Sequence, residues 1–241
     1  TIDLNAKINI GQTAFSLACD EGHIDIVKLF MQNAADLSID LNTSDICGST
    51  GFHHACERGH SDLVKIFMEN ATKFAIDLNR IDDDCTTGFH YACKRGHADV
   101  VKLFIQIAAD LSIDLNTEDL DGLTGFHYAC NRGHADVVKI FMQNAADLRI
   151  DLNAVDNNGY SAFHWVAIAI KAHLDVVKIF IENAAALKIN LNIIDSSGLT
   201  GFHRACYHGH LDAVKIFMEN AAALKIDLNI IDSNGLTAFH C

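Results

Sequence analysis

The stretch "TSDICGSTGFHHACERGHSDLVKIFMENATKFAIDLN", residues 43–79, decides how this chain folds. Its "DICGST" holds Asp45 and Gly48, the residue types of a tight turn. Thr50 comes next as an N-cap, because its hydroxyl can accept from the free amides of a first helical turn. From Gly51 to Arg58 the apolar residues Phe52, Ala55 and Cys56 fall at i, i+3 and i+4, one face of a helix. His54, Glu57 and Arg58 take the opposite face at the same spacing, and Gly59 is placed to end the helix as a C-cap. A second helix is predicted after it. Asp62 lies in its first turn, where the helix dipole favours an acid, and Val64, Phe67, Met68 and Ala71 form its apolar stripe. Lys65 stands three residues after Asp62, spaced for a surface pair.

The stretch recurs. The tetrad "IDLN" begins at Ile2, Ile39, Ile76, Ile113, Ile150 and Ile226, with "INLN" at Ile189, so the steps are 37, 37, 37, 37, 39 and 37. The chain reads as one array over residues 1–241, with repeats at about 5–42, 43–79, 80–116, 117–153, 154–192 and 193–229 and a partial seventh at 230–241. Two helices of this length cannot bury their apolar faces alone, whereas stacked neighbours can, which is the logic of a solenoid.

The pattern "D-x-x-G-x-T-G-F-H-x-A-C-x-x-G-H-x-D-x-V-K" resembles the ankyrin repeat, with its Thr-Pro-Leu-His, Ala and Gly-His before a Val/Leu helix. The resemblance covers the whole chain and returns in every repeat. It implies an all-α ankyrin-repeat solenoid of helix-turn-helix units, with short β-turn or hairpin connections and a concave groove. The departures carry expectations of their own. Gly51, Gly88, Gly125 and Gly201, or Ala14, Ala162 and Ala238, stand where the family has Pro. Glycine there adds unfolded-state entropy, so these helices should start less stably. The period exceeds the usual ~33 residues, and the extra length lies in "ENAAALK" (219–225) and its equivalents. Phe217, Ala221 and Leu224 continue the stripe, predicting one additional helical turn without the usual glycine after it. The fifth repeat, "SAFHWVAIAIKAHLDVV" (161–177), has nine steps from His164 to His173 where the others have seven. Phe163, Ala167 and Ile170 keep the helical period, so a longer first helix is predicted there, with Trp165 and Ile168 toward the groove.

Half of the chain is apolar and its formal net charge is −13. That charge argues against duplex nucleic acid or an anionic membrane as the main partner, since both need a cationic face. No apolar run approaches the ~20 residues of a spanning helix, so no membrane insertion is expected. Eight Cys in a chain of this length and even apolar composition suggest a reducing compartment, cytoplasmic or nuclear. Cys19, Cys56, Cys93, Cys130 and Cys206 recur in one small position. Neighbouring helices stack ~8–10 Å apart while a disulfide needs Cα atoms within ~7 Å, so these thiols should stay unpaired. Cys47 and Cys85 are placed in turns. His53, Cys56 and His60 have the residue types and spacing of zinc ligands on one helical face. They supply only three ligands, the first repeat has Ser16 for the first His, and the fifth lacks the Cys. The resemblance implies other work for them: His53 bonded to Thr50, and His60 as the turn residue of Gly-His. No metal and no cofactor are expected.

No catalytic set stands apart from the repeat, and no phosphate-binding glycine loop appears. The resemblance places function on the positions that vary: the turn tips and the outward side of the first helix. The first outward position holds His54, Tyr91, Tyr128, Trp165 and Arg204; the second Glu57, Lys94, Asn131 and Tyr207; the third Arg58, Arg95, Arg132 and His208. Tyr, Trp and Arg dominate interface hot spots. The tips add Asp83 and Asp84 as acids and Leu120, Leu123, Tyr160, Leu199 and Leu236 as apolar or aromatic residues. The reading is a monomeric, non-enzymatic protein–protein interaction scaffold that takes an acidic and apolar partner segment on this stripe, Ile168 included. The resemblance leaves an alternative: the recognition segment of a larger multidomain enzyme, channel or ubiquitin-ligase adaptor.

Overall fold

A computed structural model describes residues 3–169 and 173–240 of the chain. It forms two compact lobes, Thr1–Leu120 and Asp121–Cys241. The N-terminal lobe holds α1 (Ala14–Asp20), α2 (Ile24–Asn33), α3 (Gly51–Arg58), α4 (Ser61–Phe74), α5 (Gly88–Arg95) and α6 (Ala98–Ile107). The C-terminal lobe holds α7 (Gly125–Arg132), α8 (Ala135–Leu148), α9 (Ala162–Ile168), α10 (Leu174–Leu187), α11 (Gly201–Tyr207) and α12 (Leu211–Leu224), then a 3₁₀ turn at Ala238–His240. Each repeat contributes one odd-numbered and one even-numbered helix. Odd helices pack side by side within each lobe, and even helices form a second row behind them.

The local structure follows the residue types. Thr50 is extended and caps α3 reciprocally with His53 in a capping box. The Thr50 amide donates to His53 Nδ1 at 3.1 Å. Since an amide can only donate, Nδ1 is the acceptor and the ring proton sits on Nε2. Nε2 donates to the Arg80 carbonyl of the next repeat at 2.8 Å. His90 repeats the arrangement with Thr87 and the Thr117 carbonyl, and His127 with Thr124 and the Ala154 carbonyl. One buried imidazole thus caps its own helix and tethers the following repeat. Gly59, at φ +75°, closes α3 in the left-handed region. A Cβ on Gly59 would also lie 2.5 Å from the His97 ring, so glycine is required there twice over.

Behind the helix starts, phenylalanines interlock. Phe15 and Phe52 both contact Phe67, and Phe52 and Phe89 both contact Phe104, at ring separations of 5.1–6.1 Å. In the C-terminal lobe Phe126 and Phe163 both contact Phe180, and Phe163 and Phe202 both contact Phe217. Each of these four even-helix rings, Phe67, Phe104, Phe180 and Phe217, is therefore clasped by two odd helices, its own and the preceding one. Such pairs add about 0.5–1.5 kcal/mol beyond area burial.

Two polar ladders edge this core. At the turn tips, backbone amides reach back one repeat: Asp83 to Cys47, Leu120 to Asp84, Ser196 to Asn158 and Ser233 to Ser197. The connections are tight turns closed by isolated antiparallel bridges such as Ser44–Thr50 and Ile194–Thr200. At the other edge the "IDLN" tetrads work as clamps. Ile and Leu are buried, while Asp40 Oδ1 accepts the Asn42 amide in an Asx turn. The Asn42 carboxamide donates to the Ala75 carbonyl and accepts the Asp77 amide. Asn192 does the same with the Lys225 carbonyl and the Asp227 amide.

Several expectations are adjusted. The additional helical turn is present in α4, α8, α10 and α12, each 14 residues long, but α2 and α6 stop after 10. Ser38, Ala75, Ser112, Arg149, Lys188 and Lys225 then take the left-handed conformation that glycine normally supplies, at φ 50–55°. Lys65 pairs with Glu69 at 3.9 Å, whereas Lys102, Lys139 and Lys215 keep the Asp three residues before them. The longer first helix in the fifth repeat is not formed. α9 ends at Ile168 after 7 residues because Ala169 turns extended, at ψ 130°; Ile170 and Ala172 lie outside the described residues. Cys19, Cys56, Cys93 and Cys130 are buried free thiols as expected, but Cys206 is only half-buried. Burial pushes the thiols of Cys19, Cys56 and Cys93 up, far from thiolate reactivity.

Candidate protein-binding surface

The outward stripe is built on the odd helices, each fixed at its start by the capping box. Its first position is half-buried throughout, and at His54, Tyr91, Trp165 and Arg204 a carboxylate from the same repeat's turn reaches it. Tyr91 donates its hydroxyl to Asp82 Oδ2 at 2.6 Å, and Trp165 its indole N–H to Asp156 Oδ2 at 3.1 Å. Arg204 contacts Asp195 Oδ2 at 2.6 Å, with that carboxylate side chain 0% exposed. His54 Nε2 lies 3.2 Å from Asp45 Oδ2. In every case the acid stands nine residues before its partner. Its other oxygen, Oδ1, is already occupied by two turn amides, as Ser197 and Leu199 occupy Asp195 and Asp84 and Thr86 occupy Asp82. A single Asp therefore shapes the turn with one oxygen and fixes the variable side chain with the other. Burial, then the hydrogen bond to Asp82, push the Tyr91 phenol up.

The third position behaves differently. Arg58 reaches back to Asp20 of the preceding repeat at 2.8 Å, and Arg95 to Glu57 at 2.6 Å. Arg58 in turn holds the Asp20 carboxyl below its ordinary range, chiefly through that hydrogen bond. Both arginines keep more than half of their side-chain surface exposed, so each pair is worth at most about 1 kcal/mol. Lys94 is half-buried, Tyr128 half-buried and Arg132 exposed.

In the C-terminal lobe the stripe becomes aromatic. The Tyr160 ring lies 5.4 Å from Trp165 and 5.7 Å from His164, and the Arg204 guanidinium sits over it at 4.8 Å while bonding its hydroxyl at 2.7 Å. Ile168 is half-buried, Tyr207 is 70% exposed, and the His208 ring stacks 5.9 Å from His210. Burial, then His210 and Arg204, hold the His208 imidazole below its ordinary range.

The residues that suggested zinc are engaged otherwise. Both nitrogens of His53 are hydrogen-bonded, Cys56 is fully buried, and His60 Nε2 donates to the Asp20 carbonyl at 2.8 Å. His97 repeats this with the Glu57 carbonyl. Within each lobe the surface thus presents fixed polar and aromatic side chains, with no group of metal-ligating residues among the described ones. It can recognise a chain laid across it.

These features define a helical repeat scaffold whose first helices carry the side chains that vary from repeat to repeat. The comparisons with known proteins are specific. The model for ankyrin repeats in three copies matches residues 37–114 and 89–193, that for many copies matches 185–240, and the single-repeat model matches 10–42. The chain belongs to the ankyrin-repeat family. Among solved structures it is similar to the ankyrin repeat domain of Bcl-3, described as a unique member of the IkappaB protein family. The TM-score is 0.75 at 19% identity, covering 95% of this chain and 92% of that one. At that identity the likeness shows the fold. No curated protein sequence matches the chain. Ankyrin repeats are generally protein–protein interaction modules. No helix among the described residues is long and apolar enough to cross a membrane.

The repeat pattern aligns the variable positions but does not show their tethers. The recurring Asp nine residues ahead of each first-position residue was the available signal, and it was masked by Asp's ordinary role in turns.

Proposed function

We propose that this chain is a non-enzymatic interaction scaffold that holds an acidic and apolar segment of a partner protein along the outward side of its odd helices. The observation that supports it most is the carboxylate tether. His54, Tyr91, Trp165 and Arg204 differ in size and charge, yet each is held by the same turn Asp. Fixing variable side chains in one rotamer before binding reduces the ordering cost on association, about 0.5–1.5 kcal/mol per side chain. A purely structural face has no need to keep the tether while changing the residue tethered.

The test is substitution of Arg95, Tyr128 and Arg132 by Ala together, with the helical circular dichroism checked against the parent. Capture of the cognate partner should be lost at unchanged helicity. Retained capture would argue that recognition lies elsewhere, such as the exposed face of the even helices around Lys65 and Lys139.

A further inference from the structure

The two lobes carry the same stripe in different chemistry. In the N-terminal lobe its charges are matched internally: Arg58 by Asp20, Arg95 by Glu57, and His54 between Asp20 and Asp45. In the C-terminal lobe the second position is uncharged throughout, as Asn131, Ile168 and Tyr207. The carboxylates that reach this stripe, Asp156 and Asp195, are taken by Trp165 and Arg204. Among the described residues, no carboxylate pairs with Arg132, which is exposed. The lobes also differ in total charge. Residues 1–120 hold 19 acidic and 9 basic residues, net −10, and residues 121–241 hold 12 and 9, net −3.

We propose that the C-terminal lobe is the docking surface, and that it takes an extended peptide segment with an acidic side chain on Arg132 and apolar side chains against Ile168 and Tyr207. This rests on the interaction reading above. The arginine fork matches a carboxylate in two parallel hydrogen bonds. The strongly negative N-terminal lobe repels the same segment and so biases where it lands. The repeat geometry sets the register. α7 packs on α9 and α9 on α11. Packed helices lie ~8–10 Å apart and an extended chain advances ~3.3 Å per residue, so one repeat spans about three residues. The recognised pattern is acidic-x-x-apolar-x-x-apolar.

Fluorescence anisotropy on the whole chain tests this with three labelled synthetic peptides: Glu-Ser-Ser-Leu-Ser-Ser-Leu, its Lys-for-Glu counterpart, and a same-composition peptide with the two Leu adjacent to Glu. The first should bind at least tenfold more tightly than the other two. Arg132→Glu should weaken it at least tenfold and transfer preference to the Lys peptide, and Tyr207→Ala should weaken both. Arg58→Gln and Arg95→Gln should weaken binding of the first peptide less than Arg132→Gln does, and Lys102→Gln, off the stripe, should leave it within twofold. Preference of the parent for the Lys peptide, or a greater loss through Arg58→Gln and Arg95→Gln than through Arg132→Gln, would overturn this placement while leaving the interaction reading intact. Absence of binding by all three peptides overturns it too; the interaction reading is then judged by the triple substitution and partner capture alone.

Discussion

At the scale of single residues, one aspartate does two jobs in four of the repeats. Asp195 closes its turn with Oδ1 and holds Arg204 with Oδ2, fully removed from solvent. Replacing it with Ala leaves a guanidinium facing a void and two turn amides unbonded. The expected loss is about 3 kcal/mol, read as a lowered urea midpoint at unchanged slope. Asp45→Ala, whose partner is an imidazole, should cost less. The sequence shows Asp195 as a turn former because that role is local; the second role lies nine residues on and depends on how the helix is aimed. The histidines were more legible. His53 was expected to bond Thr50, and it does, with a carbonyl of the next repeat as its second partner. Burial holds His53 and His164 below their ordinary value of 6.5 in the folded chain. The unfolded chain therefore takes up these protons first as pH falls. Stability from this source is fully present above pH 6.5 and declines as pH drops from there toward the folded values. Urea midpoints at pH 7.5, 6.5 and 5.5 check it, and the decline should shrink in His53→Gln, provided that variant folds.

At the scale of elements, the helix pairs were readable because their signals are local: i, i+3, i+4 apolar spacing, a Thr cap, a Gly stop. Their ends were less so. The longer even helices α4, α8, α10 and α12 stop at non-glycine residues in the left-handed region, a conformation costing roughly 1–2 kcal/mol for an L-residue. The "IDLN" asparagines grip the carbonyls of those same residues, Ala75 by Asn42 and Lys225 by Asn192. Lys188→Gly and Lys225→Gly should each stabilise by about 0.5–1 kcal/mol after the added unfolded-state entropy, seen as additive rises in melting temperature. Glycines at the helix starts carry the reverse lesson. They were read as weak replacements for Pro, yet a Cβ on Gly88 would lie 2.9 Å from Cys56 Sγ and 3.1 Å from Phe52. Gly88→Ala should destabilise by about 1 kcal/mol despite better helix propensity, and the penalty should fall in a Cys56→Ala background. A double-mutant cycle with no coupling would remove this explanation. The fifth repeat misled for a physical reason: periodicity through Ile170 cannot register that the backbone at Ala169 leaves the helix.

At the scale of the whole molecule, the two lobes share a repeat and divide its chemistry. The concentration of acids in residues 1–120 predicts a salt response confined to that lobe. Screening relieves like-charge repulsion while its exposed pairs at Arg58 and Arg95 lose little. Between 0.05 and 0.5 M NaCl, about a threefold fall in the Debye length, amide exchange should slow more in α4 and α6 than in α8 and α12. The family was legible in the whole sequence because every repeat restates it, whereas the division between lobes resides in side-chain pairings that only the fold brings together. The central claim is that the outward stripe of the odd helices holds the partner. Site-directed photocrosslinking reads it most directly, with the probe placed at Tyr128 on α7 or at Asp136 on α8. The account predicts crosslinks to the bound partner from Tyr128 and none from Asp136; equal yields, or crosslinks from Asp136 alone, would contradict it.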